Sequence, residues 1–130
     1  MFKTKANEVV KRLASVLPKD WRKIALSVEI DDSYYRIFYY AFVGDETVPI
    51  QCYQLIGKYA ITKEMLSATF RDVYNIMKSL WVEMRKSGQQ FYHYTLIFDS
   101  DLNFNEYYDY TPLDQCSPEY DIEWAKQYLS

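Results

Sequence analysis

The side chains that could do nucleophilic, acid–base or zinc chemistry are few and lie far apart in the sequence. His93 is the only histidine, and Cys52 and Cys116 are the only cysteines. Structural zinc takes four ligands, so a site built on His93 would need Asp, Glu or Cys for the rest. A Cys–His pair remains open, but no catalytic motif surrounds either thiol. The pattern favours a structural histidine and two small buried or half-buried thiols.

Phosphate-binding and calcium-binding loops are not indicated either. The three glycines stand at positions 44, 57 and 88, too far apart for a glycine-rich phosphate loop. Residues 99–103 begin with the alternating oxygens of a calcium loop, but Phe104 and Tyr110 occupy the positions of its glycine and glutamate. Because no nucleophile, base and oxyanion donor come together, we predict a protein that is not an enzyme, with no catalytic residue, no cofactor and no metal site.

Composition favours a compact soluble domain and disfavours several kinds of partner. The chain has 130 residues, of which 49% are apolar and 18% aromatic, enough for one hydrophobic core. A net charge of −3 supplies no basic field for nucleic acid or an anionic membrane. No apolar stretch reaches the length of a signal peptide or a membrane span. We therefore expect a cytoplasmic protein that binds neither nucleic acid nor membrane directly.

Charge is distributed unevenly along the chain. Residues 1–98 carry a net charge of +4, whereas residues 99–130 carry eight acidic side chains against Lys126, a net charge of −7. Tyrosines, which are favoured interface anchors, alternate with these carboxylates. Such a surface suits a basic partner such as the substrate cleft of a nuclease, and the alternative is an ordinary solvated acidic face. The predicted partner-binding residues are Asp101, Glu106, Tyr107, Tyr108, Asp109, Tyr110, Asp114, Tyr120 and Trp124.

Hydrophobic periodicity predicts the elements that must position these residues. Apolar residues at three- and four-residue spacing predict a first helix that ends before Pro18. Alternation over residues 23–30 predicts a strand with one solvated face, and residues 34–43 predict a strand that is apolar on both faces. Residues 48–55 are predicted as a third strand, at an edge of the sheet because of Pro49.

The second half of the chain continues with a long helix, two strands and a short helix. Thr62 as N-cap and Gly88 after the C-terminus delimit a helix about 38 Å long. Residues 91–98 and 104–110 predict two more strands, and Ser117 begins the last helix. The order αβββαββα predicts a single α+β domain of about five mainly antiparallel strands, with the long helix packed across the sheet. The strand order stays open, because the last two strands can join either edge.

Short motifs spread over the whole chain carry a family resemblance. They are Leu17-Pro18-Lys19-Asp20-Trp21, Ile37-Phe38-Tyr39-Tyr40, Leu80-Trp81-Val82-Glu83-Met84-Arg85, Tyr94-Thr95-Leu96-Ile97-Phe98, Asp101-Leu102-Asn103-Phe104, Tyr108-Asp109-Tyr110 and, after Trp124, Lys126-Gln127-Tyr128-Leu129. In these motifs the chain resembles the YezG-like immunity proteins, an antitoxin family, as one domain over residues 1–130. Two positions depart from the pattern: Leu102 stands where a turn glycine is expected, and Phe91 where a tryptophan is expected.

The resemblance implies a cytoplasmic antitoxin of Gram-positive bacteria. Such a protein binds the nuclease domain of a toxin exported by the type VII secretion system and neutralises it by occlusion until export. The family has no known catalytic residues, so the resemblance implies no active site. The alternative function is a small-molecule or sugar-binding module that uses a tyrosine-rich sheet face. The identity of the toxin, whether its active site is blocked, whether a toxin gene accompanies this protein, and the oligomeric state all stay open.

Overall fold

Three helices and a five-stranded antiparallel sheet make up the chain in a computed structural model that describes residues 2–129. The helices are α1 (Phe2–Ala14), α2 (Lys63–Lys86) and α3 (Tyr120–Tyr128), and the strands are β1 (Trp21–Ile30), β2 (Tyr35–Val43), β3 (Ile50–Gln51), β4 (His93–Asp99) and β5 (Phe104–Asp109). This order confirms the predicted αβββαββα arrangement and the single α+β domain. Residues 1 and 130 of the predicted domain lie outside the described residues.

The strand order, which the sequence left open, is β3-β2-β1-β4-β5. β1 and β2 form a hairpin that pairs Ile30 with Tyr35 at one end and Trp21 with Val43 at the other. β4 adds antiparallel to the free edge of β1, and β5 then pairs with β4 as a second hairpin. The acidic segment after residue 98 therefore occupies the half of the sheet that is farthest from β3.

The two longer helices cover one face of the sheet. β1 directs Ile24, Leu26 and Val28 to this face, where they join the buried apolar residues of α1 and α2 in one core. The side chain of Thr62 caps α2 by accepting the N–H of Met65 (3.1 Å), which confirms the predicted start of the long helix.

The end of α2 is tied to the chain that enters β4. Gly88 adopts a φ of +77°, the left-handed conformation that commonly ends helices, so the predicted stop signal is confirmed. The buried side chain of Trp81 donates its indole N–H to the carbonyl of Phe91 (2.8 Å). Trp81 thus belongs to the core, and the partly buried Trp21 packs against the edge of that core.

α3 covers the opposite face of the sheet; the sequence predicted this helix but not that it packs on this face. The prediction that one face of β1 is solvated is wrong at the centre of the strand, because Ala25 and Ser27 are buried. The indole of Trp124 lies across this region, in edge contact with Phe38 and with its N–H donated to the hydroxyl of Thr95 (2.8 Å). Small residues on β1 leave room for that indole, and the alternation of Ser27 with the charged Lys23 and Glu29 made the face look solvated in the sequence.

Several predicted element bounds require correction. The third strand does not span residues 48–55: only Ile50–Gln51 pair, at the predicted edge, and a 3-10 helix follows at Cys52–Leu55. This helix directs Cys52 and Leu55, which are three residues apart, to the same side and buries both in the core. In an extended strand, two residues three positions apart would point to opposite faces. β4 and β5 run over 93–99 and 104–109 rather than 91–98 and 104–110. The last helix begins at Tyr120, after a turn in which the Ser117 hydroxyl accepts the N–H of Glu119 (3.1 Å).

Candidate partner-binding site

A cleft of about 790 Å³ lies between β5, the segment that follows it, and α3. The lining residues are His93, Thr95, Tyr107, Tyr108, Asp109, Tyr110, Thr111, Pro112, Gln115, Cys116, Ser117, Tyr120, Glu123, Trp124, Gln127 and Tyr128. Five of them are tyrosines and two are carboxylates, Asp109 and Glu123, and none is a lysine or an arginine. The cleft is therefore aromatic and acidic.

Six of the nine predicted partner-binding residues line this cleft, and three do not. β5 alternates, so Tyr107 and Asp109 face α3, whereas Glu106 faces the layer of α1 and α2. Asp101 lies in the turn between β4 and β5, and Asp114 lies in the 3-10 helix Leu113–Gln115, both outside the cleft lining. The structure therefore groups Tyr107 and Asp109 with α3 and separates Asp101, Glu106 and Asp114 from them. Tyr108 also borders the cleft, although its ring packs with Phe91 and Tyr94 on the other face of the sheet.

The tyrosines of the cleft differ in how far they are exposed. Tyr107 and Tyr110 keep 44% and 51% of their surface exposed, which leaves them available to a partner. Tyr128 of α3 packs against the Tyr107 ring, with ring centroids 5.2 Å apart. Trp124 is only 4% exposed and donates its indole N–H to Thr95, so it holds α3 on the sheet and offers little surface to a partner. Its aromatic type alone did not reveal that difference.

Glu106 is occupied by hydrogen bonds within the protein. One of its carboxylate oxygens accepts the hydroxyls of Tyr94 (2.7 Å) and Tyr108 (3.2 Å). Burial raises the pKa of both tyrosines above the ordinary value, and the charge of Glu106 raises it further, so both hydroxyls remain donors. Glu106 thus anchors β5 to β4 as well as adding negative charge near the sheet edge.

His93, a buried residue of the cleft lining, takes part in a series of polar contacts. Its ring stacks on Tyr120, with centroids 3.9 Å apart, and its Nε2–H donates to Glu29 (2.9 Å). Burial by itself would raise the pKa of Glu29, but the His93 hydrogen bond and the charge of Arg36 outweigh it and hold that pKa below its ordinary value. Arg36 also donates to Asp121 of α3 (2.7 Å). These contacts join three strands to α3.

The Cys–His pair that the sequence left open is present as a contact of 3.9 Å between Cys116 Sγ and His93 Nδ1. Burial raises the pKa of the Cys116 thiol, and the carboxylates of Asp109 and Glu29 raise it further. A cysteine nucleophile needs a lowered thiol pKa, so this arrangement fits the structural interpretation of both residues. Among residues 2–129, no group of three or more His, Cys, Asp or Glu side chains is placed to hold a metal ion.

Comparison with protein families identifies the group to which the chain is similar. The model of a family described as "Immunity protein YezG-like" matches residues 2–129, nearly the whole chain. No curated protein matches the chain. None of the helices within residues 2–129 has both the length and the apolar character needed to cross a membrane.

Proposed function

The chain belongs to the YezG-like immunity protein family, and we propose that it is a non-catalytic antitoxin that neutralises a secreted nuclease toxin by occlusion. An immunity role with a protein toxin as partner follows from family membership. The nuclease activity of that toxin, its export by a type VII secretion system, and neutralisation in the cytoplasm before export are the finer parts of the proposal.

The aromatic and acidic cleft is the observation that supports this proposal. A nuclease must attract a phosphate backbone, so its substrate groove is lined with basic side chains. The cleft offers the opposite charge through Asp109 and Glu123, without a lysine or arginine in its lining. Acidic charge of this kind steers encounter with a basic surface and speeds association at low salt. The exposed rings of Tyr107 and Tyr110 supply rigid contact area beside that charge.

A binding and inhibition assay tests the proposal directly. The tagged protein is mixed with purified catalytic domains of secreted nuclease toxins, and complex formation and DNA cleavage are measured. We expect a stoichiometric complex with one domain and loss of its cleavage activity. A panel that includes type VII substrates and yields neither a complex nor inhibition would contradict the nuclease part of the proposal.

Matched variants then test the cleft as the contact surface. Truncating both exposed rings, as Tyr107→Ala with Tyr110→Ala, is expected to weaken binding at least about tenfold, as loss of interface anchors does. Tyr53→Ala is the control, because Tyr53 is 53% exposed but lies in the 3-10 helix beside β3, away from the cleft. Equal affinity for the double variant and the control would exclude this surface, although not the antitoxin role.

Charge reversal gives an independent measurement of the same surface. Glu123→Lys places a positive charge in the cleft, whereas Glu64→Lys changes the same charge at the start of α2. We expect only the first variant to slow association and to flatten its dependence on salt. Identical salt dependence for both variants would show that the cleft does not steer the partner.

Small-molecule or sugar binding is the second candidate, favoured by the size of the cleft. Its volume of about 790 Å³ lies within the range of ligand pockets, and tyrosine rings are suitable stacking surfaces for planar molecules. A ligand screen by tryptophan fluorescence tests this function, because Trp124 lies in the lining. Saturable changes that Tyr107→Ala abolishes, without any protein complex, would support it over the antitoxin.

A further inference from the structure

β5 is the exposed edge strand of the half of the sheet that carries the cleft. Two hydrogen bonds establish which of its backbone groups point away from β4. Asp99 N–H donates to the carbonyl of Asn103 (3.0 Å), and Tyr92 N–H donates to the carbonyl of Asp109 (2.9 Å). Because backbone direction alternates along an antiparallel strand, the odd-numbered residues of β5 bond to β4 and the even-numbered ones face outward.

The outward groups belong to Phe104, Glu106 and Tyr108. Among residues 2–129, no backbone–backbone hydrogen bond outside the sheet ladders involves these three residues. They form a row of donors and acceptors about 14 Å long, since alternate residues of a strand are about 7 Å apart. This row can receive the backbone of another extended chain.

The two edges of the sheet differ in how they are protected. Proteins normally block edge strands by making them very short, or by placing lysine, proline or a bulge in them. β3 has such protection: it has two residues, follows Pro49, and continues into a 3-10 helix. β5 has six residues with no lysine and no proline, and its register with β4 is continuous. Of the two edges, only β5 is open to pairing.

We propose that β5 receives an extended, basic segment of the toxin as a sixth strand of the sheet. This inference rests on the proposed function, because the toxin is the occupant. An added strand would lie beside the Glu106 carboxylate on one face of the sheet and beside Tyr107 and Asp109 on the other. Lysine or arginine side chains on that strand would pair with these carboxylates, while main-chain hydrogen bonds supply affinity.

A second copy of this chain is a poorer occupant of the same edge. Antiparallel pairing of β5 with another β5 about Glu106 would place the two Glu106 carboxylates opposite each other across the new ladder. Like charges opposite each other in a sheet are destabilising, so the acidic edge disfavours self-association and favours a basic partner.

Hydrogen exchange in the complex tests strand addition without any substitution. The probe is the nuclease domain that the protein inhibits, and the readout is the exchange rate of individual amides of β5. The Glu106 and Tyr108 amides are expected to slow at least about 100-fold on binding, since they gain hydrogen bonds. The Asn105 and Tyr107 amides, already bonded to β4, are the internal reference. Inhibition of the nuclease with unchanged Glu106 and Tyr108 rates would overturn the inference and leave the proposed function standing.

A proline substitution tests the same hydrogen bond by affinity. Glu106→Pro removes one outward N–H, a change that edge strands tolerate because that group faces solvent. Glu106→Ala is the matched control, since it loses the same carboxylate but keeps the N–H. We expect Glu106→Pro to bind about 10- to 100-fold more weakly than Glu106→Ala, the effect of leaving one backbone partner unpaired. Equal affinities would contradict strand addition. If no nuclease domain binds even the natural protein, the proposed function fails, and this inference fails with it.

Discussion

The hydrogen bond between Trp124 and Thr95 is expected to hold α3 on the sheet through a measurable coupling. Its donor is the indole N–H and its acceptor is the threonine hydroxyl, 2.8 Å apart. Trp124 is 4% exposed and Thr95 is also buried, so neither group can exchange its partner for water. The perturbation is a set of three variants: Trp124→Phe, Thr95→Val, and both together.

The structure sets the expected magnitudes. Thr95→Val preserves the shape of the side chain but leaves the indole N–H buried without an acceptor, which costs about 1–3 kcal/mol of unfolding free energy. Trp124→Phe loses the hydrogen bond and part of the ring that contacts Phe38 and Tyr40, at a cost of about 2–4 kcal/mol. In the double variant both the indole donor and the hydroxyl acceptor are absent, so no buried polar group is left without its partner. Its cost should therefore fall below the sum of the two single costs by about 1 kcal/mol.

Urea denaturation followed by far-ultraviolet circular dichroism measures all four proteins at the same temperature. The unfolding free energy must fall with urea concentration at the same slope in all four proteins. A changed slope would mean that α3 had already detached in the native state. Strictly additive costs, or a Thr95→Val variant as stable as the natural protein, would refute a hydrogen bond that holds α3.

Two further predictions concern the turn between β4 and β5 and the half-buried carboxylate of Glu29. Leu102 has a φ of +66°, which is strained for a residue with a side chain, so Leu102→Gly should raise the unfolding free energy by about 0.5–1 kcal/mol. Leu102→Ala is the control in the same urea assay, and a glycine variant no more stable than the alanine variant would contradict the strain. The folded state lowers the pKa of Glu29 below 4.5, so its ionised form stabilises the protein above that pH, and this stability is lost as pH falls through the folded pKa. Thermal melts should therefore show Glu29→Gln less stable than the natural protein at pH 7, with the difference shrinking below pH 4.5, and a constant difference would count against the contacts of Glu29 with His93 and Arg36.

Local signals in the sequence were sufficient for most of the fold. The N-cap Thr62 and the terminal Gly88 delimit α2 in the structure as they do in the sequence, because capping depends on groups within four residues of each other. Leu102 has the positive φ that the expected turn glycine would have adopted. The predicted strand 48–55 was wrong because a short, largely apolar segment does not by itself distinguish a strand from the 3-10 helix Cys52–Leu55.

The candidate partner-binding site was predictable only as a region of the sequence. Charge and tyrosine content identified the chain after residue 98, and six of its nine chosen residues line the cleft. Which side of β5 faces α3 depends on packing, so Glu106 and Tyr107, adjacent in sequence, lie on opposite faces. The lining residues Glu123 and Tyr128 were missed, although Tyr128 lies one helical turn after Trp124.

The sequence by itself determined the order of elements, the acidic and aromatic character of residues 99–130, and the family to which the chain belongs. Each of these depends on residue types or on contacts between near neighbours in the chain. The tertiary structure alone decided that β4 joins β1, that Trp124 covers Ser27 and reaches Thr95, and that β5 ends the sheet with an open edge. Trp124 and Thr95 are 29 residues apart, and β1 pairs with β4 across the whole of α2. Pairings at such separations depend on which surfaces fit together in three dimensions, and no local pattern specifies that fit.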